Sequence, residues 1–306
     1  MPQTGDSSGY PRRFTLTSKD SRWPPLWRQL HDPPLRITGA GHADLLPRRC
    51  LAIVGTRRAS HRGLALSRAL GRSLAEFGWV VVSGLAHGVD GAAHRGALAA
   101  GGATVAVIGT GIDRCFPARH AELQERIRQE GCVLTELPDG APPHRWHFPR
   151  RNRLIAGMSE GVIVVEAPLR SGALLTAMLA MEMNREVFAM PGPVDSRVSR
   201  GCHHLLREGA HLLESPLDLH QVLSPPAVPE SARRAVAGGR WRTLPVAGSA
   251  ARWIYDRLDL TGVAQEELLQ RWPGSHSAWL EGLLALEVTG LIRRLPGGRL
   301  ARSEIG

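Results

Sequence analysis

The chain has 306 residues, 43% of them hydrophobic, which suffices for one large core and a smaller one and excludes disorder throughout. Its formal net charge of +10 comes from 38 basic residues against 28 acidic ones, and every basic residue except Lys19 is an arginine. The planar guanidinium fork suits phosphate oxygens, so nucleic acid is one candidate partner; a compositional bias toward arginine would leave only the sign of the charge informative. Cys50, Cys115, Cys132 and Cys202 show no C-x-x-C spacing, which argues against a zinc site or a disulfide framework. No run reaches the roughly 18 apolar residues that span a bilayer, and no signal-like segment opens the chain. A cytoplasmic protein without membrane insertion is expected.

Residues 1–22 are rich in Ser, Thr, Gly, Pro and charge, and read as a loose leader. Residues 23–48, with PPLWRQLHD and a turn at Pro33-Pro34, read as a short helical adaptor packed on the main domain. From Leu51, short β-branched runs alternate with amphipathic stretches. Strands are predicted at 51–55, 79–83, 104–108, 133–136, 162–166, 187–189 and 211–213, with helices near 62–76, 89–100, 118–130, 172–184 and 199–208. Continuous apolar runs mean strands covered on both faces, hence a mostly parallel α/β sheet over 49–220. Ligands of such sheets bind beyond the carboxyl ends of the strands.

Those ends carry the candidate site. After the first parallel strand come Gly55, Thr56, Arg57, Arg58 and Ser60, a tight turn with hydroxyls and helix-start N–H groups suited to an anion. An ordinary strand-to-helix turn has the same spacing, and neither G-x-G-x-x-G nor G-x-x-x-x-G-K-[ST] is present. The next turn holds Ser83, Gly84 and Asp90, with His94 on the same helix face as Asp90. The pair reads as a brace, with acid–base chemistry or half a metal site as alternatives. Gly109-Thr110-Gly111 permits close approach after the third strand, and Pro117 opens the next helix.

Arg145, Arg150, Arg151 and Arg153 fall within nine residues, with Trp146, Phe148 and Asn152 interleaved and no acidic residue among them. Cations for phosphates and flat rings for bases are the two components of single-strand recognition. Glu166 ends the fifth parallel strand, and Arg170, Ser171 and Gly172 then start a helix whose free N–H groups form a second anion cradle, with Thr176 and Glu136 as further support. His203 and His204 are adjacent and so do not share a helix face, which leaves no metal spacing.

Residues 221–245 read as a Pro/Gly/Ser-rich linker. The remainder, 246–306, shows three short helices and a hairpin turning at Gly297-Gly298, the pattern of a winged helix. Residues 241–306 hold eight arginines and seven acidic residues. That near balance argues against a duplex grip, although Arg293, Arg294 and Arg299 leave a weak double-stranded DNA contact open.

The segments AIVGTRRAS, SGLAHGVDGAAHRGAL, VAVIGTGIDRCFPARH, TELPDGAPPHRWHFPRRNRLIAGMS, VIVVEAPLRSGALLTA and REVFAMPGPVDSRVSRGCHHLLREGAHLL, preceded by LHDPPLRITGAG, resemble the DNA-processing protein A (DprA/Smf) family in their order and content. The resemblance implies an extended Rossmann-like domain, single-stranded DNA as ligand, RecA recombinase as partner, homodimerisation, and loading of RecA onto incoming DNA in natural transformation. It implies no catalysis and no cofactor. It carries DNA contacts onto Arg57, onto the cluster through Arg151 and Arg153, and onto Arg170, Ser171 and Gly172. Thr56 replaces the family's more frequent serine, and Phe116 a common tyrosine. The family's N-terminal SAM-like domain is reduced here to the adaptor or missing. Two competitors remain: a nucleoside-monophosphate-processing enzyme of related fold, and a regulator using the winged helix.

Overall fold

Strands that are apolar on both faces assemble into a central layer. Cys50–Val54 (β3), Val80–Ser83 (β4), Thr104–Val107 (β5), Cys132–Thr135 (β6), Gly161–Val164 (β7), Glu186–Ala189 (β8) and His211–Leu212 (β9) all run parallel. Within β5, Val105 and Val107 join one buried cluster while Ala106 joins another, as the two-residue period of a strand requires. The helices between them are His61–Glu76 (α1), Val89–Ala99 (α2), Ala121–Glu130 (α3), His147–Met158 (α4), Gly172–Glu182 (α5), Arg200–Arg207 (α6) and Leu219–Val222 (α7). The fold class is α/β with a large, mostly parallel sheet. The computed structural model describes residues 13–224, 226, 249–259, 261–288 and 291–302.

The N-terminal segment departs from the sequence reading. Arg13–Leu16 (β1) and Ile37–Gly41 (β2) are antiparallel strands that extend the sheet beyond β6, giving the order β1-β2-β6-β5-β4-β3-β7-β8-β9. Residues 13–22 are therefore no loose leader: Leu16 is buried, and residues 1–12 lie outside those described. Nor is the adaptor purely helical. It contributes β2 and a 3-10 turn at Pro25–Gln29, pinned where Trp27 Nε1 donates to the carbonyl of Leu154 at 2.9 Å. Trp23 meets Trp27 edge-on at 5.4 Å, so two large rings anchor this segment against α4.

From β3 the chain steps outward through β4, β5 and β6, then returns to place β7 on the other side of β3, with Val54 opposite Val164. The strand order reverses between β3 and β7, which opens a crevice at their carboxyl ends. Close helix packing narrows the scaffold around it. A Cβ on Gly71 of α1 would collide with the carbonyl of Ala93 in α2, and one on Gly96 of α2 with that of Arg68 in α1.

The chain divides into two units, Met1–Ala237 and Gly238–Gly306, and the linker expected over 221–245 lies almost wholly outside the described residues. The second unit contains Ala250–Asp256 (α8), Val263–Ala264 (β10), Gln265–Gln270 (α9), His276–Val288 (α10), Ile292–Leu295 (β11) and Arg299–Arg302 (β12). Its sheet is antiparallel in the order β10-β12-β11, and β10 is a strand that the sequence reading did not include. Trp279 fills its core beside Ile254, Leu283, Leu286 and Leu300. Arg294 pairs with Glu287 at 2.5 Å, and Arg299 donates to the carbonyls of Thr261 and Gly262, so two of the three hairpin arginines named above serve the unit itself. No helix among the described residues is long and apolar enough to cross a membrane.

Candidate nucleic-acid interface

The crevice at the β3/β7 switch holds an open cavity of about 570 Å³. Gly55, Thr56, Arg57 and Arg58 line it from the loop after β3, Arg145, Phe148, Arg151 and Asn152 from the start of α4, and Arg170, Ser171, Gly172 and Thr176 from the start of α5. Three segments far apart in sequence thus meet at one rim. Val54, Ile155 and Pro168 supply apolar wall. These the sequence reading did not name, and their only signal was position at or near the end of an apolar run.

Gly55 is dictated by space: a Cβ there would sit 2.5 Å from Val89 Cγ2 and 2.9 Å from the carbonyl of Glu166. Gly88 has φ +76, and a side chain on it would strike the carbonyl of Thr56. The loops after β3 and β4 therefore interlock through bare backbone.

Three of the helix starts around this rim, those of α1, α2 and α5, differ in charge. At α1, Ser60 caps the helix by accepting from the N–H of Gly63 at 2.9 Å, and the Glu166 carboxylate accepts from the Ser60 N–H at 2.9 Å and from its hydroxyl at 2.5 Å. An internal anion occupies the cradle that the sequence offered to a ligand there, so Ser60 and Glu166 brace the loop that displays Arg57 and Arg58. At α2, the Asp90 carboxylate accepts from the N–H groups of Gly84 (3.1 Å) and Ala86 (3.3 Å). Burial pushes the Asp90 carboxyl above its ordinary range, opposed by nearby Arg151 and by those two donors. At α5, Ser171 caps its own helix by accepting from Leu174 N–H at 3.3 Å, and no carboxylate among the described residues pairs with this helix start. This is the one of the three that remains open to an outside anion.

The Ser60 cap is testable. Ser60→Ala removes a helix cap and half of the partners of Glu166, with an expected loss of about 1 kcal/mol in urea-induced unfolding.

The arginines of the basic stretch separate by direction. Arg151, 6% exposed, donates through Nη1 to the carbonyls of Gly84 (2.7 Å) and Val107. A Cβ on Gly84 would fall on that guanidinium, so the glycine exists to admit it. Burial pushes the Arg151 guanidinium down to about 10, which leaves it charged at neutral pH; Asp90 favours the charge and Arg57 opposes it. Arg153 pairs with Glu136 at 2.5 Å and with Asp32 at 3.2 Å, and Arg150 lies 3.4 Å from Glu136. Neither lines the cavity. Their charges are spent on carboxylates, which argues against the phosphate role that the sequence suggested for them. Asn152 donates to the Gly172 carbonyl at 3.2 Å, and Thr176 Oγ1 to the same atom at 3.1 Å, tying α4 to the open helix start.

Arg57, Arg58, Arg145 and Arg170 have no ion-pair partner among the described residues, and all four line the cavity. The Arg57 guanidinium rests 5.2 Å over the Phe148 ring, which also meets Phe116 at 5.5 Å. Ser83, buried, donates to the Ile53 carbonyl at 2.6 Å and supports the sheet. His94 is buried with Nδ1 2.8 Å from Thr104 Oγ1, away from the cavity lining. Asp90 and His94 are thus two separate braces, each bonded to its own partner. No group of three or more His, Cys, Asp or Glu side chains that would hold a metal occurs among the described residues.

Residues 14–224 match the family model described as DNA recombination-mediator protein A. The DNA processing protein DprA of Streptococcus pneumoniae is 46% identical over 191 residues, 62% of this chain and 67% of the relative. Protein Smf of Escherichia coli is 36% identical over 306 residues, covering 96% of this chain and 79% of the relative. Among solved structures, the pneumococcal DprA superposes with a TM-score of 0.67 at 42% identity, over 71% of this chain and 75% of that one. DNA processing protein A from Helicobacter pylori, whose single-stranded DNA binding mode is described, superposes with a TM-score of 0.62 at 31% identity, over 69% and 94%. The match over most of the chain, together with a parallel sheet whose switch-point rim gathers these motifs, places the chain in the DNA recombination-mediator protein A (DprA/Smf) family.

Proposed function

We propose that this chain binds single-stranded DNA without sequence preference and acts as a mediator that loads RecA recombinase onto incoming DNA in natural transformation. The observation that carries the reading is the cavity wall: four arginines unmatched by carboxylates, the Phe148 ring and the open start of α5 converge there. Phosphates are held by charge and N–H groups, and a base by a flat ring, which requires no particular base. The Helicobacter relative, whose fold this chain shares, has a described single-stranded DNA binding mode.

The reading assigns no catalytic step. Asp90 is committed to backbone donors, Glu136 to Arg153 and Glu166 to Ser60, so each carboxylate in the neighbourhood already has a structural role. Homodimerisation finds support on α5, where Leu175, Met178 and Met181 are exposed beside Leu169. A contiguous apolar strip of that kind marks an interface between proteins. RecA as partner and the cytoplasm as setting rest on family membership.

Arg57→Ala tests the reading directly. Four phosphate-facing arginines give log affinity against log salt a slope near about −3 for single strands, and losing one flattens it by about 0.7. Anisotropy titrations of an oligothymidylate at several salt concentrations are expected to show weaker binding and a flatter slope in the variant. Unchanged affinity and slope would remove the cavity from the DNA-binding surface.

A further inference from the structure

The start of α4 carries the half-buried Phe148 and the exposed Trp146, and each ring has an arginine over it. Within the cavity, Arg57 lies 5.2 Å over Phe148. Just before the helix, Arg145 lies 4.0 Å over Trp146. Phe148 and Arg145 line the cavity, whereas Trp146 does not. Its side chain is 59% exposed, in contrast to the buried Trp23, Trp27, Trp79 and Trp279.

A large ring left in water at the edge of a basic cavity offers a flat face to a ligand. Its surroundings say which. His144 meets Trp146 at 5.6 Å with the rings tilted by 37°, His147 lies 5.7 Å from His144, and Arg145 covers part of the indole. An apolar protein partner would need apolar neighbours, and those flanking Trp146 are basic or titratable. A flat group joined to a phosphate suits both the ring and the cation.

We infer that Trp146 is a second base-stacking platform outside the cavity, so that the strand held by Phe148 and Arg57 continues over the start of α4 and places another base on the indole. The inference rests on the proposed single-stranded DNA binding. Each arginine-aromatic couple then serves one nucleotide: the ring takes the base and the guanidinium its phosphate. Arg145, which faces the cavity and also covers Trp146, neutralises the phosphate between the two positions. The ring has no role in the core, since the residue is 59% exposed and belongs to none of the buried clusters.

Trp146→Ala, Trp146→Phe and Arg57→Ala in the full chain distinguish this inference from the reading beneath it. Each is titrated with a labelled oligothymidylate and with an abasic strand of equal length. Trp146→Ala is expected to weaken binding of the intact strand about tenfold, with an unchanged salt slope and little effect on the abasic strand. Trp146→Phe is expected to restore most of the affinity, which also excludes misfolding as the cause. Parental affinity in Trp146→Ala, with Arg57→Ala still impaired, would overturn the platform and leave the cavity reading intact. Equal losses on intact and abasic strands would overturn it too, because stacking needs a base. Parental binding by both alanine variants would defeat the platform and the cavity reading together.

Discussion

Arg151→Met is expected to destabilise the chain by about 3–5 kcal/mol, although the residue sits in the middle of a basic stretch that reads as a surface for DNA. The methionine fills similar volume but leaves the carbonyls of Gly84 and Val107 without the Nη1 donor, and Asp90 without the cation that most favours its charge. The pH dependence carries the assignment. The folded-state pKa of Asp90 is raised above the unfolded value, so keeping it ionised costs stability at neutral pH, and that cost fades as pH falls through the folded pKa. Removing Arg151 raises it further. The loss in urea unfolding is therefore expected to be largest near pH 7 and to shrink on acidification. Arg151→Lys, which keeps the charge but not the fork, is expected to fall between the two. A variant as stable as the parent at neutral pH would show that Arg151 braces nothing.

The second large effect is acid sensitivity from His94. Thr104 Oγ1 donates its only proton to the Val81 carbonyl at 2.8 Å, so the 2.8 Å contact with His94 has Nδ1–H as donor. That tautomer leaves Nε2 unprotonated, buried and without a partner. Burial, with help from His120, Arg95 and Arg151, pushes the ring pKa down to about 3. The unfolded ring takes up its proton near about 6.5, while the folded one stays neutral. The neutral ring's contribution is thus fully present above that pH and is lost at about 1.4 kcal/mol per unit as pH falls toward the folded pKa. His94→Gln keeps an N–H donor and removes the titration. Its urea midpoint is expected to change less than the parent's between pH 7 and pH 4. Parallel pH profiles in the two chains would refute this account.

The sequence made the sheet legible where physics is local. Strands such as LAIV and GVIVV are buried on both faces and therefore read as unbroken apolar runs. β2, ITGAG, was hidden because a short run rich in glycine carries little strand signal. Gly39 is required by packing, since a Cβ there would collide with the Phe14 ring of β1, a partner that no local pattern announces. In the same way Arg57, Arg145, Phe148 and Ser171 were legible as candidates for one site, and the structure gathers them at one cavity. The fates of Arg150, Arg151 and Arg153 were not. Successive helix residues turn by about 100°, so neighbours in sequence face different surroundings. Glu166 was equally opaque: it lies 106 residues from Ser60, whose N–H and hydroxyl it accepts.

That internal placement of carboxylates has a consequence for traffic through the site. With Glu166 seated at one helix start and Asp90 at another, a lone phosphate finds fewer anion seats than the helix starts alone would offer. A long strand gains from many weak grips acting in concert, each re-forming before the others let go. On the proposed reading, such a surface would hold polymers by avidity and yield them a few links at a time to a competitor advancing along the strand.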